Sequence, residues 1–408
     1  MNISCYKCKG RGFCGREYCA VYTKAQGMFK AKAAAQKEDF FGSAPAPFVG
    51  HHSYPQVNVG ILSPGFQTEE AWEYDAPAYW SEHNYIIPEL VDLRSALINS
   101  RFKSNIKNQN NMLELSQQIG MSSSPVDVEI KLKKKPQFRM NFDPHVAPMG
   151  PNASIESARI TENPRISQKV DKVVSDVDLK ATEAVTYLYE KGFDENFLSK
   201  LLSVGTLGVK TDRKLVPTRW SITATDDMLA KSLLEQIRIY RQADYVAYFG
   251  GYLGNYYLVL FFPGAWSYEL FETYVGKSVW HESDKIDFMT DFEFYDGRKE
   301  YAFNTAGGYY AARLAVCEKL DKIKRQGNVL CLRFITGEYS VPLGVWVVRE
   351  ATRKAMKSRP IEFADRDLML NYARLIVKKK FGVDLELILK ESVLLKEMKE
   401  QKKLFEFA

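Results

Sequence analysis

Histidine is scarce in this chain, with five in 408 residues. There is no HExxH pattern, no P-loop, no GxSxG elbow and no Cys/His pair at catalytic spacing, so the standard enzyme signatures are absent. Long apolar runs are missing as well. The most apolar stretch, YYLVLFFPGAW (256–266), is broken by Pro263 and falls far short of the roughly 20 residues a membrane span needs. The N-terminal MNISCYKCKGRGFCG lacks the apolar core of an export signal, so a cytoplasmic chain without membrane contact is expected. Beyond residue 20 only two cysteines remain, Cys317 and Cys331, each among apolar neighbours. That excludes a disulfide framework spread over the fold.

What is present is ordinary globular composition: 46% hydrophobic and 26% charged residues, enough to bury a sizeable core. Aromatics are rich, with 23 Tyr and 24 Phe. The 56 Lys and Arg against 50 Asp and Glu leave a net charge of +6, a mildly basic balance that permits nucleic-acid binding without demanding it.

The other four cysteines crowd the first twenty residues. CYKCKGRGFCGREYC places Cys5, Cys8, Cys14 and Cys19 at C-x2-C-x5-C-x4-C spacing, with Gly10, Gly12 and Gly15 between them. Four thiolates brought together by glycine turns suit a closed tetrahedral Zn²⁺ site; a redox cluster or an iron–sulfur centre are the alternatives by ligand softness. Lys7, Lys9, Arg11 and Arg16 decorate this knuckle and could meet phosphates, or the knuckle serves only to hold the fold.

Along the chain, composition predicts a knuckle (1–24), a Pro/Ala linker (25–50), one large mixed core (51–382) and a helical C-terminal extension (383–408), in an α+β fold. Alternation predicts strands at 55–65 and from 126 through Leu132. Helical spacing is read over 89–102, over 168–203, over 304–325, and over 223–241 with a capping box from Thr223 to Asp226. Aromatic strands are expected within 245–262, and further strands at 328–335 and 344–350. The Pro/Asn/Ser-rich passage 141–167 is too punctuated for long regular elements. The chain then turns helical to its end, interrupted at Pro360, and its last apolar stripe fades beyond Met398.

The terminal QKKLFEFA sets Gln401, Leu404 and Phe407 at a spacing that resembles the peptide by which replication and repair proteins dock onto the sliding clamp PCNA. There an aliphatic and an aromatic anchor fill an apolar pocket. The eighth position is Ala408, where an aromatic or Leu is common, and Phe405 is the residue able to compensate. The alternative is a helix end packed on its own domain. Arg219, Trp220, Arg349, Glu350, Arg353 and Arg359 concentrate arginine near tryptophan. They suit stacked bases and phosphates or an interior ion-pair network. The lysine run KLKKKP (131–136) suits nucleic acid or a blunted strand edge. Gly307 and Gly308 open a helix that could receive a phosphate or simply pack closely. For acid–base work His145, beside Asp143, is the candidate histidine, with Arg349 and Glu350.

Taken together, the knuckle, HVAPMGPNAS, ENPRISQKVDKVVSD, RKLVPTRWSIT, YLGNYY, PLGVWVVRE and the terminal peptide resemble the archaeal Nre family of DNA repair proteins, in order and over nearly the whole chain. The resemblance implies a repair role with zinc held by Cys5, Cys8, Cys14 and Cys19. It also implies clamp docking through Gln401, Leu404 and Phe407. The expected function is a DNA-binding repair factor recruited by PCNA; the alternative is a repair enzyme, a nuclease or an abasic-site endonuclease or lyase. A nucleotide-binding protein using the Gly307–Gly308 helix start is a third possibility.

Overall fold

A computed structural model describes residues 5–15, 19–34, 37–138, 143, 146–276, 281 and 286–400. It is a mixed α+β structure. The chain divides into two compact units, Met1–Leu229 and Ala230–Ala408, and each carries its own six-stranded sheet.

In the first unit the strands are β1 (Asp39–Ala44), β2 (Ala46–Val49), β3 (Gln56–Ser63), β4 (Ile98–Asn105), β5 (Val126–Leu132) and β6 (Asn152–Ile160), ordered β1-β5-β6-β4-β3-β2. All neighbours are antiparallel except β4 and β6. β5 shows why the sequence makes a sheet. Val126, Val128, Ile130 and Leu132 alternate into the core, while Glu129 and Lys131 on the wet face pair with Arg159 and Glu156 of β6. Such alternation is the signature of a half-solvated strand.

Two expectations in this unit are corrected. The helix read over 89–102 is Ile87–Ala96, and the chain then enters β4. Asn99 and Ser100 are weak helix formers, and Asn99 fits against Gly60, where a Cβ would stand 2.0 Å from its Oδ1. The punctuated passage 141–167 contains the nine-residue strand β6.

The second unit has β7 (Arg241–Gln242), β8 (Tyr245–Tyr252), β9 (Asn255–Phe262), β10 (Ser267–Tyr274), β11 (Asp287–Glu293), β12 (Arg325–Gln326), β13 (Asn328–Ile335) and β14 (Ile361–Phe363). The main sheet runs β11-β10-β13-β9-β8-β14, with β7 and β12 forming a separate small ladder. One face of the sheet packs on the helix Arg366–Phe381 and the segments after it, through Leu258, Leu260, Phe262, Leu332 and Phe334. The helices Gly307–Ile323 and Trp346–Lys357 belong to the other side, where Tyr257, Val259, Val329 and Cys331 are also buried. Cover on both faces explains why β9 reads as an unbroken apolar run.

Three further expectations give way here. Residues 344–350 are not a strand: Trp346–Lys357 is a helix, and its fully buried Val347, Ala351 and Ala355 recur every four residues, on one helical face. The helix read as starting at a Thr223 cap starts at Thr218, where the N–H groups of Trp220 and Ser221 donate to the Pro217 carbonyl. The last helix is split at Ser392 into Glu386–Leu389 and Val393–Glu400. Its second part is seated on β10: buried Glu269 accepts from Ser392 Oγ and from the N–H groups of Val393 (3.0 Å) and Leu394 (3.1 Å). Residues 401–408 lie outside the described residues.

Candidate nucleic-acid interface and metal centre

The knuckle begins with one helical turn, Cys5–Cys8. Positive φ at Lys9, Gly10, Gly12 and Gly15 then turns the chain, at no steric cost at the three glycines. Cys8 is buried. Burial pushes its thiol up, yet N–H groups of Cys14, Phe13 and Arg11 aimed at the sulfur leave it below the ordinary cysteine value. The Cys19 sulfur likewise accepts from the Tyr22 N–H at 3.4 Å. Amide donors stabilise a thiolate, so the Cys8 sulfur fits a metal ligand better than an inert thiol. Among the described residues no three His, Cys, Asp or Glu side chains are gathered as a metal set; the Cys5 side chain is not among them. Lys7, Lys9 and Arg11 are exposed around the turn, and Arg16 lies outside the described residues.

The helix that follows, Ala20–Ala34, buries Lys24. Its Nζ donates to the carbonyls of Asp143 (2.6 Å) and Val146 (3.2 Å), which joins the knuckle's helix to the passage around His145. His145 itself is outside the described residues.

The feature most suited to nucleic acid is assembled from three separate segments. The Ile106 N–H donates to the Pro55 carbonyl (3.1 Å) and the Leu215 N–H to the Ile106 carbonyl (2.8 Å). The Val49 N–H donates to Thr218 Oγ1 at 2.9 Å. Residues 50–56, 105–110 and 213–220 are thereby brought side by side. They carry His51, His52, Lys107, Arg213, Lys214 and Arg219, and not one carboxylate. Lys107, Lys214 and Arg219 are exposed. Tyr54 and Trp220 are 41% and 46% exposed, although their rings meet, centroids 5.3 Å apart and tilted 54°. His51 is held below the ordinary imidazole value by burial and by the positive charges of His52 and Arg219. The sequence pointed to Arg219 and Trp220 alone. Tyr54 and Lys107 join them only through the fold.

Arg349, Glu350 and Arg353, in the second unit, are placed differently. Arg349 and Glu350 are buried in the helix Trp346–Lys357. Arg353 donates to Glu350 (2.7 Å) and, with two nitrogens, to Glu318 (2.8 and 2.6 Å). Here the ion-pair reading describes what the guanidinium does. The start of Gly307–Ile323 is crowded by the chain's own carboxylates. A Cβ on Gly308 would lie 2.3 Å from Glu272 Oε1, and Thr305 donates its N–H and hydroxyl to Asp291 (2.8 and 2.9 Å). A phosphate would meet like charge there.

Sequence reasoning missed a belt of buried ion pairs around these carboxylates: Glu272 with Arg333, Asp291 with Arg298, and Glu293 with Arg313. The signal was Glu272, a carboxylate beside the buried Leu270 and Phe271 of β10. A cleft of about 310 Å³ in the first unit was missed too; Trp72, Asp75, Tyr79, Asp194 and Lys200 are among its lining. Lys200 and Arg94 bridge Asp75 at 3.5 and 3.8 Å. Burial raises Asp194 even though it caps the helix Glu195–Ser203.

No helix among the described residues is long and apolar enough to cross a membrane, and no solved structure matches the chain. Family models match over most of its length: archaeal Nre, N-terminal, over residues 13–281, and archaeal Nre, C-terminal, over 293–407. The DNA repair protein NreB of Archaeoglobus fulgidus is 34% identical over 406 residues, covering 99% of this chain and all of that protein. The DNA repair protein NreA of the same organism is 36% identical over 385 residues, 93% of this chain and 95% of the relative. NreA of Haloferax volcanii is 37% identical over 335 residues, 80% and 79% of the two chains. With both halves matched in order and relatives aligned nearly end to end, the chain belongs to the archaeal Nre family of DNA repair proteins.

Proposed function

We propose that this chain is a repair factor that binds DNA and is delivered to it by the sliding clamp PCNA. The observation that carries the DNA-binding part is the surface of residues 50–56, 105–110 and 213–220, where cations and exposed aromatic rings meet with no carboxylate in the three segments. A polyanion gains there from counterion release, and no fixed negative charge in those segments opposes it. The clamp part rests on Gln401, Leu404, Phe405, Phe407 and Ala408 in the terminal peptide. Zn²⁺ held by Cys5, Cys8, Cys14 and Cys19 would cross-link the knuckle, and the amide donors on Cys8 suit a thiolate in that role.

Two measurements test this reading. Fluorescence anisotropy with labelled DNA should show binding whose log affinity falls linearly with log salt. The triple variant Lys107→Ala, Lys214→Ala, Arg219→Ala should flatten that slope by about 2–3. Calorimetry with purified clamp should show binding that is lost when residues 401–408 are deleted. A salt-independent DNA signal, or undiminished clamp binding by the truncated chain, would overturn the corresponding half.

A further inference from the structure

Resting on the proposed DNA binding, we infer that the surface around Tyr54 and Trp220 takes unpaired bases, so that it prefers single-stranded DNA to duplex. The two rings are nearly half exposed although each is large and apolar. They are tilted by 54° rather than stacked face to face. Trp220 stands at the start of the helix Thr218–Ile237 and Tyr54 in the turn before β3, both on backbone fixed by the hydrogen bonds described above. Rings held in this way lose little entropy when a flat partner arrives.

The chemistry of the partner follows from what a ring face can meet. In a duplex the base faces are already stacked on one another, and a protein finds only base edges and phosphates. An unpaired base offers its face, and aromatic side chains bind such faces with little regard to sequence. The surrounding charge suits the rest of the strand. Lys107, Lys214 and Arg219 are exposed, and no carboxylate lies within the three segments. Phosphates on either side of a stacked base would find cations contributed by two separate segments, 105–110 and 213–220.

The experiment uses the full chain with a fluorescein-labelled mixed-sequence strand of about 20 nucleotides, alone and annealed to its complement, at several salt concentrations. Single strand should bind more tightly than duplex. Tyr54→Ala and Trp220→Ala should each weaken single-strand binding by about 5- to 150-fold, the effect of losing one stacked base. Duplex binding and the salt slope should stay as they were. Trp220→Phe should restore much of the loss, which a purely structural role for the indole would not produce. Equal affinity of the unaltered protein for single strand and duplex would overturn the inference. So would wild-type single-strand affinity in both alanine variants. Failure to bind any DNA would instead remove the functional reading on which the inference stands.

Discussion

Glu269 offers the sharpest test of how the second unit is built. It is a carboxylate in a central strand, fully buried, and it serves as the cap of the helix Val393–Glu400. Glu269→Ala would leave the N–H groups of Val393 and Leu394 and the buried hydroxyl of Ser392 without their acceptor. Loss of a helix cap costs about 1 kcal/mol, and a buried polar group left unsatisfied costs about 1–3 kcal/mol more. The expected loss is about 3 kcal/mol, a fall in Tm of about 6–12 °C for a unit of this size. Glu269→Gln keeps one oxygen and should cost less.

The pH dependence separates charge from shape. Burial raises the Glu269 carboxyl above its ordinary 4.5, against the pull of its hydrogen bonds to Ser392, Val393, Leu394 and Thr290. A raised folded pKa means that its favourable increment is present below about 4.5 and is lost as pH climbs through the folded value. The penalty of Glu269→Gln relative to the native protein should therefore be larger in acid and shrink toward neutral pH. Chemical denaturation at several pH values, with hydrogen exchange on residues 393–400, would measure both effects. If Glu269→Ala stays within about 0.5 kcal/mol of the native protein and residues 393–400 keep their protection, the capping argument is wrong.

Other outcomes follow from the same geometry. Burial and its cationic neighbours hold His51 below the ordinary imidazole value, and a phosphate beside it would raise its pKa. DNA affinity should then rise as pH falls from about 7.5 to 5.5, and His51→Ala should blunt that rise; a flat profile in the native protein would rule the coupling out. Gly150→Ala would drive a Cβ to 1.8 Å from the Leu97 carbonyl oxygen, a backbone contact with no side chain to yield. Loss of more than about 3 kcal/mol, or of soluble protein, is expected; a normal melting curve would contradict the packing. Elemental analysis should find about one zinc per chain, and Cys8→Ser should lower the zinc content; full zinc in that variant would remove Cys8 from the ligand set. Lys24→Met should cost about 2 kcal/mol through its two lost carbonyl contacts and speed proteolysis within 143–150; unchanged proteolysis would show that the Lys24 contacts do not hold that passage.

Much of this was legible from local pattern. β5 announces itself through Val126, Val128, Ile130 and Leu132, and the helix Gly307–Ile323 starts close to where its glycines suggest. What stayed hidden was decided by partners remote in sequence. Trp346, Val347 and Val348 read equally well as strand or helix, and only burial along one helical face separates the two. The division at Leu229 falls inside the helix Thr218–Ile237, so no linker composition marks it. Glu272 and Arg333 stand 61 residues apart, and no spacing rule could have paired them. The same holds for the surface proposed to meet DNA: Arg219 and Trp220 were visible as a dipeptide, but only the fold sets them beside the carboxylate-free segments 50–56 and 105–110.

The link between Lys24 and the carbonyls of Asp143 and Val146 spans 119 and 122 residues of sequence. During synthesis at about 5–20 residues per second, the N-terminal knuckle emerges about 6–24 seconds before the residues that receive its lysine. Through that interval the helix Ala20–Ala34 has neither carbonyl to hold it, and the four cysteines proposed to hold zinc sit on a segment not yet docked. Under that proposal, early loading of zinc would do more than complete a site: it would keep the four sulfurs occupied until the rest of the first unit arrives to receive them.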